Sequence, residues 1–193
     1  MPGEFNILDN DGIRHPIQRF EPSEGKETLG VCLAMDGNEE AQYDHLMAKA
    51  ELFASQIRGA DVDHNTAFYT LQNSFMKTIE YCLPAVNLSA HQWDKIMSKV
   101  LSAALPKCGY SKSLPLAVRF GPVRHGGIGI QHPFYTGGVA KLTSLIQESA
   151  CDSQTGALMN TSIEDFRLEV GFNFDLTTLD IDIVRGYTTN CWY

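Results

Sequence analysis

Apolar and polar positions change rhythm three times along the chain, and each rhythm predicts a different kind of structure. At the start, two short β-capable runs, residues 5–8 and 13–20, flank Asp9, Asn10, Asp11 and Gly12. A turn-forming cluster between two such runs predicts a hairpin. Residues 21–27, with Pro22, Ser23 and Gly25, read as a linker, and residues 28–35 as a short apolar strand ending at Asp36 and Gly37.

From residue 38 the period becomes helical. Asn38 is the predicted N-cap of a first helix, with Glu39 and Glu40 complementing its positive end. Tyr43, Met47, Ala50, Ala54 and Ile57 recur on one face until Gly59. Asp63 caps a second helix whose stripe is Phe68, Leu71, Phe75 and Ile79, closed by Pro84. Ser89 and Gln92 form a capping-box pattern for a third. Its stripe is Trp93, Ile96, Met97, Val100 and Ala104, with Pro106 and Gly109 expected beyond its end. Stripes of this kind are what helices bury against one another.

After residue 110 the rhythm breaks into Pro and Gly. Residues 114–120 look strand-like and Gly126 to Ile130 reads as a turn. Weaker helical patterns cover residues 137–148 and 161–170, and after Gly171 apolar positions alternate with Asp and Thr, a tail expected to be poorly ordered.

Composition places the chain among ordinary globular proteins: 193 residues, 44% hydrophobic and 20% charged. There is no basic start followed by an apolar run, and no stretch nears the roughly 18 apolar residues of a membrane span, so the expectation is a soluble intracellular chain with no membrane partner. The five scattered cysteines, Cys32, Cys82, Cys108, Cys151 and Cys191, form no Cys-x-x-Cys pair. They read as buried free thiols, not as a disulfide framework or zinc site.

Charge changes the picture more. The net charge of -8 opposes phosphate binding, yet its distribution is uneven. Residues 1–40 hold nine acids and three bases, and residues 136–193 hold eight and three. Between Tyr81 and Tyr135 the only acid is Asp94, against Lys95, Lys99, Lys107, Lys112, Arg119 and Arg124. That stretch is five units positive, with His91, His125 and His132 in addition if protonated; the alternative is chance clustering on a solvated face.

Motifs that would carry catalysis do not assemble. If Gly12 held the sixth position of a calcium loop, Ile7 and Gln18 would stand where carboxylates are needed. Gly126-Gly127-Ile128-Gly129 lacks the Lys-Ser/Thr ending of a phosphate loop and is followed by Gln131, His132 and Pro133, which favours a structural turn. A Cys108 nucleophile assisted by His125 or His132 has no local signature around it. Two-metal phosphoryl transfer needs clustered carboxylates, whereas Asp61/Asp63 and Asp180/Asp182 are spaced by two and the first pair sits at a helix cap. No cofactor, metal site or polymerase or nuclease activity is expected.

The segment ETLGVCLAMDGN at residues 27–38 resembles the "LGV" segment that follows the catalytic x-Asp-Asp strand in reverse transcriptases of the non-LTR retrotransposon type, the primer-grip region. In the expected order follow MKTIEYCLP at residues 76–84, similar to the apolar helix of that family ending in a Tyr and a small hydrophobic turn, and the helix at residues 93–105. Then come LPLAVRFGP at residues 114–122 and GGIGI at 126–130, like "GGLGI" of the family; the likeness covers residues 5–148. In that family the fingers and palm, with the catalytic Asp residues, precede this region, and a helical thumb after the palm contacts the template-primer duplex. The resemblance therefore implies a part without catalysis of its own, partnered by RNA or DNA duplex and by a palm on the same or another chain. The acidic balance is a departure from the family.

The expected fold is mainly α: a β lead-in over residues 1–37, a thumb-like three-helix bundle over 38–110, and a Gly/Pro-rich segment with weaker helices over 111–193. Lys77, Lys95, Lys99, Lys107, Lys112, Arg119 and Arg124 are the candidate phosphate contacts, which would supply affinity without sequence specificity. The rival reading is a helical protein-interaction or scaffold module, or an inert remnant of a mobile element.

Overall fold

The computed structural model describes residues 6–10, 12–16 and 20–170, and the alternating tail after Gly171 lies outside them. The structure is mostly helical, with two small antiparallel strand pairs at its N-terminal end. Strands β1 (Asn6–Leu8) and β2 (Arg14–Pro16) form the predicted hairpin, with Ile7 opposite His15. Asp9 organises the turn: its carboxylate accepts the Ile13 N–H at 2.8 Å and pairs with His15 at 2.9 Å. Both strands are exposed along their whole length.

The second pair departs from the sequence reading. β3 (Lys26–Thr28) occupies the end of the expected linker, and the single strand expected over residues 28–35 is broken at Leu29 and Gly30, leaving β4 (Val31–Leu33). Both turn residues have positive φ, +52° and +82°, which is the two-residue loop whose twist matches paired strands. Gly30 adopts it freely, while Leu29, carrying a Cβ in the left-handed region, projects into solvent. Val31 alone of this strand reaches the core.

Helix α1 (Glu40–Gly59) has Glu39 as its N-cap, one residue after the expected Asn38, whose side chain accepts the Glu40 N–H at 2.9 Å from the turn before the helix. It buries Gln42, Leu46, Ala50, Phe53, Ala54 and Ile57; Tyr43 and Met47 of the expected stripe are half-buried at its edge. A second run starts at α2 (His64–Thr70), capped by Asp63 as expected, with the Thr66 N–H donating to Oδ1 at 2.6 Å. It then passes through a π-helical stretch, Leu71–Met76, into α3 (Lys77–Cys82). Leu71, Phe75 and Ile79 are buried, and the run ends before Pro84.

Helix α4 (Ala90–Lys107) carries both halves of the capping box between Ser89 and Gln92. Pro106, expected beyond the helix, lies inside its last turn. The end is closed by two reverse bonds, Tyr110 N–H to the Leu105 carbonyl at 2.9 Å and Gly109 N–H to Pro106 at 3.2 Å, which satisfy carbonyls the helix leaves open. Trp93, Ile96, Met97, Val100, Leu101, Ala104 and Leu105 are all at most 2% exposed, so α4 is the element around which the core is built. Its main partner is α1; α2 and α6 also lie against it.

The Gly/Pro-rich segment is helical where a strand was expected. Residues 114–120 contain the one-turn helix α5 (Leu116–Arg119), started by Pro115 and held by Arg119, whose guanidinium donates to the Leu114 and Lys112 carbonyls at 2.7 and 2.8 Å. A 3₁₀ turn (Val123–His125) and Gly126 then fold residues 127–130 back over α5. Ile128, Gly129 and Ile130 donate to the carbonyls of Val118, Gly121 and Arg119, and Ile130 is fully buried. The two weaker helices are longer than their sequence signal, α6 (Pro133–Ser149) and α7 (Gln154–Val170), and they pack on each other.

Candidate nucleic-acid interface

The seven candidate cations fall into four groups. Lys95 and Lys99 stand on the outer side of α4, four residues and so about 40° apart. They border a shallow groove between α4 and α1 with Tyr43, Met47, Glu51, His91 and Asp94. Lys99 pairs with Glu51 across that groove at 3.1 Å, both side chains more than half exposed. Lys77 pairs with Glu80 on α3, again in solvent.

Lys107 and Arg119 are half-buried and turned to the protein's own backbone. The Lys107 ammonium donates to the Ala60 carbonyl at 2.7 Å, while its own carbonyl is bonded by His64 Nδ1 at 2.8 Å; together these tie the end of α4 to the loop joining α1 and α2. Arg119 is the staple of the α5 loop described above. Lys112 and Arg124 are exposed in the Gly/Pro-rich segment. The fold thus brings Lys95 and Lys99 together on one helix, and distributes the others over α3, the end of α4 and the following loops.

Asp94, the one acid of the basic stretch, has a structural partner. His132, 5% exposed, faces it through Nε2 at 3.0 Å, and His132 Nδ1 accepts the Phe134 N–H at 3.3 Å as the N-cap of α6. Because Nδ1 accepts, the proton of the neutral ring is on Nε2 and is donated to Asp94. Phe120 meets the ring edge-on at 4.8 Å. This bond joins α4 to α6 and partly satisfies the Asp94 charge.

The thiol hypothesis fares differently on geometry. Cys108 is buried, and burial pushes its pKa up, opposite to the direction that makes a nucleophile. Cys82 is buried and shifted the same way, Cys32 is half-buried, and Cys151 is exposed against the expectation of burial; Cys191 lies outside the described residues. Among the described residues no group of three or more His, Cys, Asp or Glu could hold a metal ion, and no helix is long and apolar enough to cross a membrane.

Two surface features carried no sequence signal. One is an apolar groove of about 440 Å³ where the end of α3 and the start of α4 meet α6, lined by Leu83, Val86, Trp93, Phe134 and Val139 among others. Lys141 closes one side by donating to the Val86 carbonyl and to Asn87. The other is a more polar cleft of about 380 Å³ between the π-helical stretch and residues 123–136, where Gln72 and Gln131 both lie. Neutral carboxamides at scattered positions make no motif, and only the fold puts them on one cleft. Compared with known proteins, the chain matches no family model, no curated protein and no solved structure.

Proposed function

We propose that the chain is a non-catalytic module that holds nucleic-acid duplex, the template-primer grip of a reverse-transcriptase-like protein whose palm lies on the same or another chain. The observation that carries this reading is the solvent exposure of Lys77, Lys95, Lys99, Lys112 and Arg124. Two of the five are in exposed ion pairs, which contribute only about 0–1 kcal/mol and yield readily to a phosphate. The order of the five family-like segments supports the same reading.

Five contacts set a ceiling on the salt dependence. At about 0.9 per neutralised phosphate on B-form DNA, the log-log slope is at most about 4.5, or roughly 500-fold between 50 and 200 mM salt. Fluorescence anisotropy of a labelled RNA–DNA hybrid should show weak, sequence-independent binding within that ceiling. Replacing Lys95 and Lys99 together by Glu should lower the slope by about 1.8. No binding at low salt, or binding indifferent to salt, refutes the proposal. The apolar groove at α6, flanked by exposed Phe134 and Tyr135, favours a second reading, a helical protein-interaction module, and that reading expects neither effect.

A further inference from the structure

We propose that the cleft between the π-helical stretch and the Gly-rich turn is a binding site for a nucleobase. One wall comes from the π-helical stretch and α3, with Gln72, Asn73 and Met76, and the other from Val123, Ile128, Gly129 and Gln131. A π-helical stretch inside an α-helix is rare and is frequently found at functional sites. Here it supplies the carboxamides of Gln72 and Asn73 to the cleft.

The donors and acceptors in this cleft are underused. Gln72 and Gln131 are half-buried, and neither side chain makes a hydrogen bond to another described residue. The Asn73 amide donates to the Tyr69 carbonyl at 3.2 Å, which leaves its oxygen directed elsewhere. Half-enclosed polar groups without partners, above a floor of Phe68, Ile79 and Leu83, are the composition of a site for a small planar ligand.

The chemistry narrows the ligand further. A carboxamide presents a donor and an acceptor side by side, the pairing with which Asn and Gln read base edges. Unpaired bases are held by edge hydrogen bonds together with contact to an aromatic face, which Phe68 can supply. The charges at the mouth, Lys77 and Glu80, are paired with each other, so the cleft favours a neutral polar plate over an isolated anion. The volume of about 380 Å³ suits one base with part of its sugar, not a duplex. The base could belong to a free nucleotide or to an unpaired end of a bound strand.

The test is ¹⁵N NMR on the full chain, following the side-chain amide signals of Gln72 and Gln131, assigned by their loss in Gln72→Leu and Gln131→Leu. The probes are adenosine and cytidine monophosphates, a blunt RNA–DNA hybrid, and the same hybrid with one unpaired nucleotide. Both signals should move saturably with a mononucleotide or with the overhung hybrid, and each Leu variant should weaken that binding about tenfold. Response to the mononucleotide assigns a free ligand, and response to the overhung hybrid alone assigns a strand end. Signals unmoved by every probe at millimolar concentration, moved equally by the blunt hybrid, or moved undiminished in both Leu variants overturn the proposal. Because wild-type signals are read directly, a variant that fails to fold does not rescue it. A blunt hybrid that binds without moving either signal leaves the duplex grip standing and removes nothing from the cleft if the overhang responds.

Discussion

Gly126 and Gly127 are adjacent, yet alanine should affect them very differently. Gly126 has φ +81° and nothing within 4 Å of where a Cβ would stand, so Gly126→Ala costs only the left-handed conformation, about 1–2 kcal/mol. At Gly127 an added Cβ falls on the Gly121 carbonyl group, with the Gly121 Cα at 2.7 Å. The obstacle is backbone, and it cannot rotate aside as a side chain would. The Gly121 carbonyl also accepts the Gly129 N–H at 3.0 Å, so moving it breaks the contact that holds the turn. Residues 127–130 must therefore lift. Full lifting forfeits four hydrogen bonds at about 1 kcal/mol each and the burial of Ile130 at about 2 kcal/mol, roughly 6 kcal/mol together. Partial accommodation keeps the expected loss for Gly127→Ala at about 3 kcal/mol or more. Urea denaturation followed by circular dichroism measures both variants against the parent. A Gly127→Ala loss no larger than that of Gly126→Ala would refute the close packing of this turn on α5.

Trp93→Ala should cost about 3–5 kcal/mol, because the indole is 2% exposed among the buried side chains of α4, and a thermal melt unchanged by the substitution would contradict that burial. The hydrogen bond from the Thr66 N–H holds the Asp63 carboxyl below the usual carboxylate range, so its stabilisation is complete above that range and is lost as pH falls through the lowered pKa. An acid titration should show this loss in the parent and not in Asp63→Asn, which keeps an acceptor but cannot titrate; identical acid profiles would reject the linkage. Among Cys32, Cys82, Cys108 and Cys151, iodoacetamide should modify Cys151 first, since it is exposed while burial raises the thiol pKa of the other three; mass spectrometry finding Cys108 first would reverse this.

What the sequence disclosed was chemistry that acts over one turn. Asp63 with Thr66, and Ser89 with Gln92, cap their helices through bonds to residues three positions away, so type and spacing alone suffice to predict them. Residues 114–120 read as a strand in sequence because alternating apolar residues in a short run fit a strand and a single helical turn equally. The choice is made at a distance, by Arg119 reaching the carbonyls before it and by Ile128 and Ile130 donating to the carbonyls of Val118 and Arg119. The π-helical stretch left a trace that reads as scatter. Leu71, Phe75 and Ile79 are spaced by four, and eight residues of α-helix overshoot two turns by about 80°, which an inserted residue absorbs. The cleft residues Gln72 and Gln131 left none, being uncharged and nearly sixty positions apart.

Charge counted along the chain overstates the surface it makes. Of the seven cations, Lys107 and Arg119 point at carbonyls 2.7 Å away, where they hold the loop after α1 and the loop before α5. Their removal would act first on folding and only through folding on any ligand. The single acid in the stretch is similarly absorbed, bonded to the buried His132 that caps α6. Of the seven candidates five exposed cations remain, on a chain of net charge -8 with the acids concentrated in both flanks. At that balance the electrostatic attraction is short in range and quickly screened, since charges further apart than about 10 Å are largely lost at 0.1 M salt. Contacts this few hold a duplex effectively only when a partner raises its local concentration, where millimolar effective concentrations convert weak binding into occupancy. Under the proposed function, this arrangement of charge suits an accessory grip acting beside a palm that already holds the strand, and does not suit an autonomous binder that must find nucleic acid in solution.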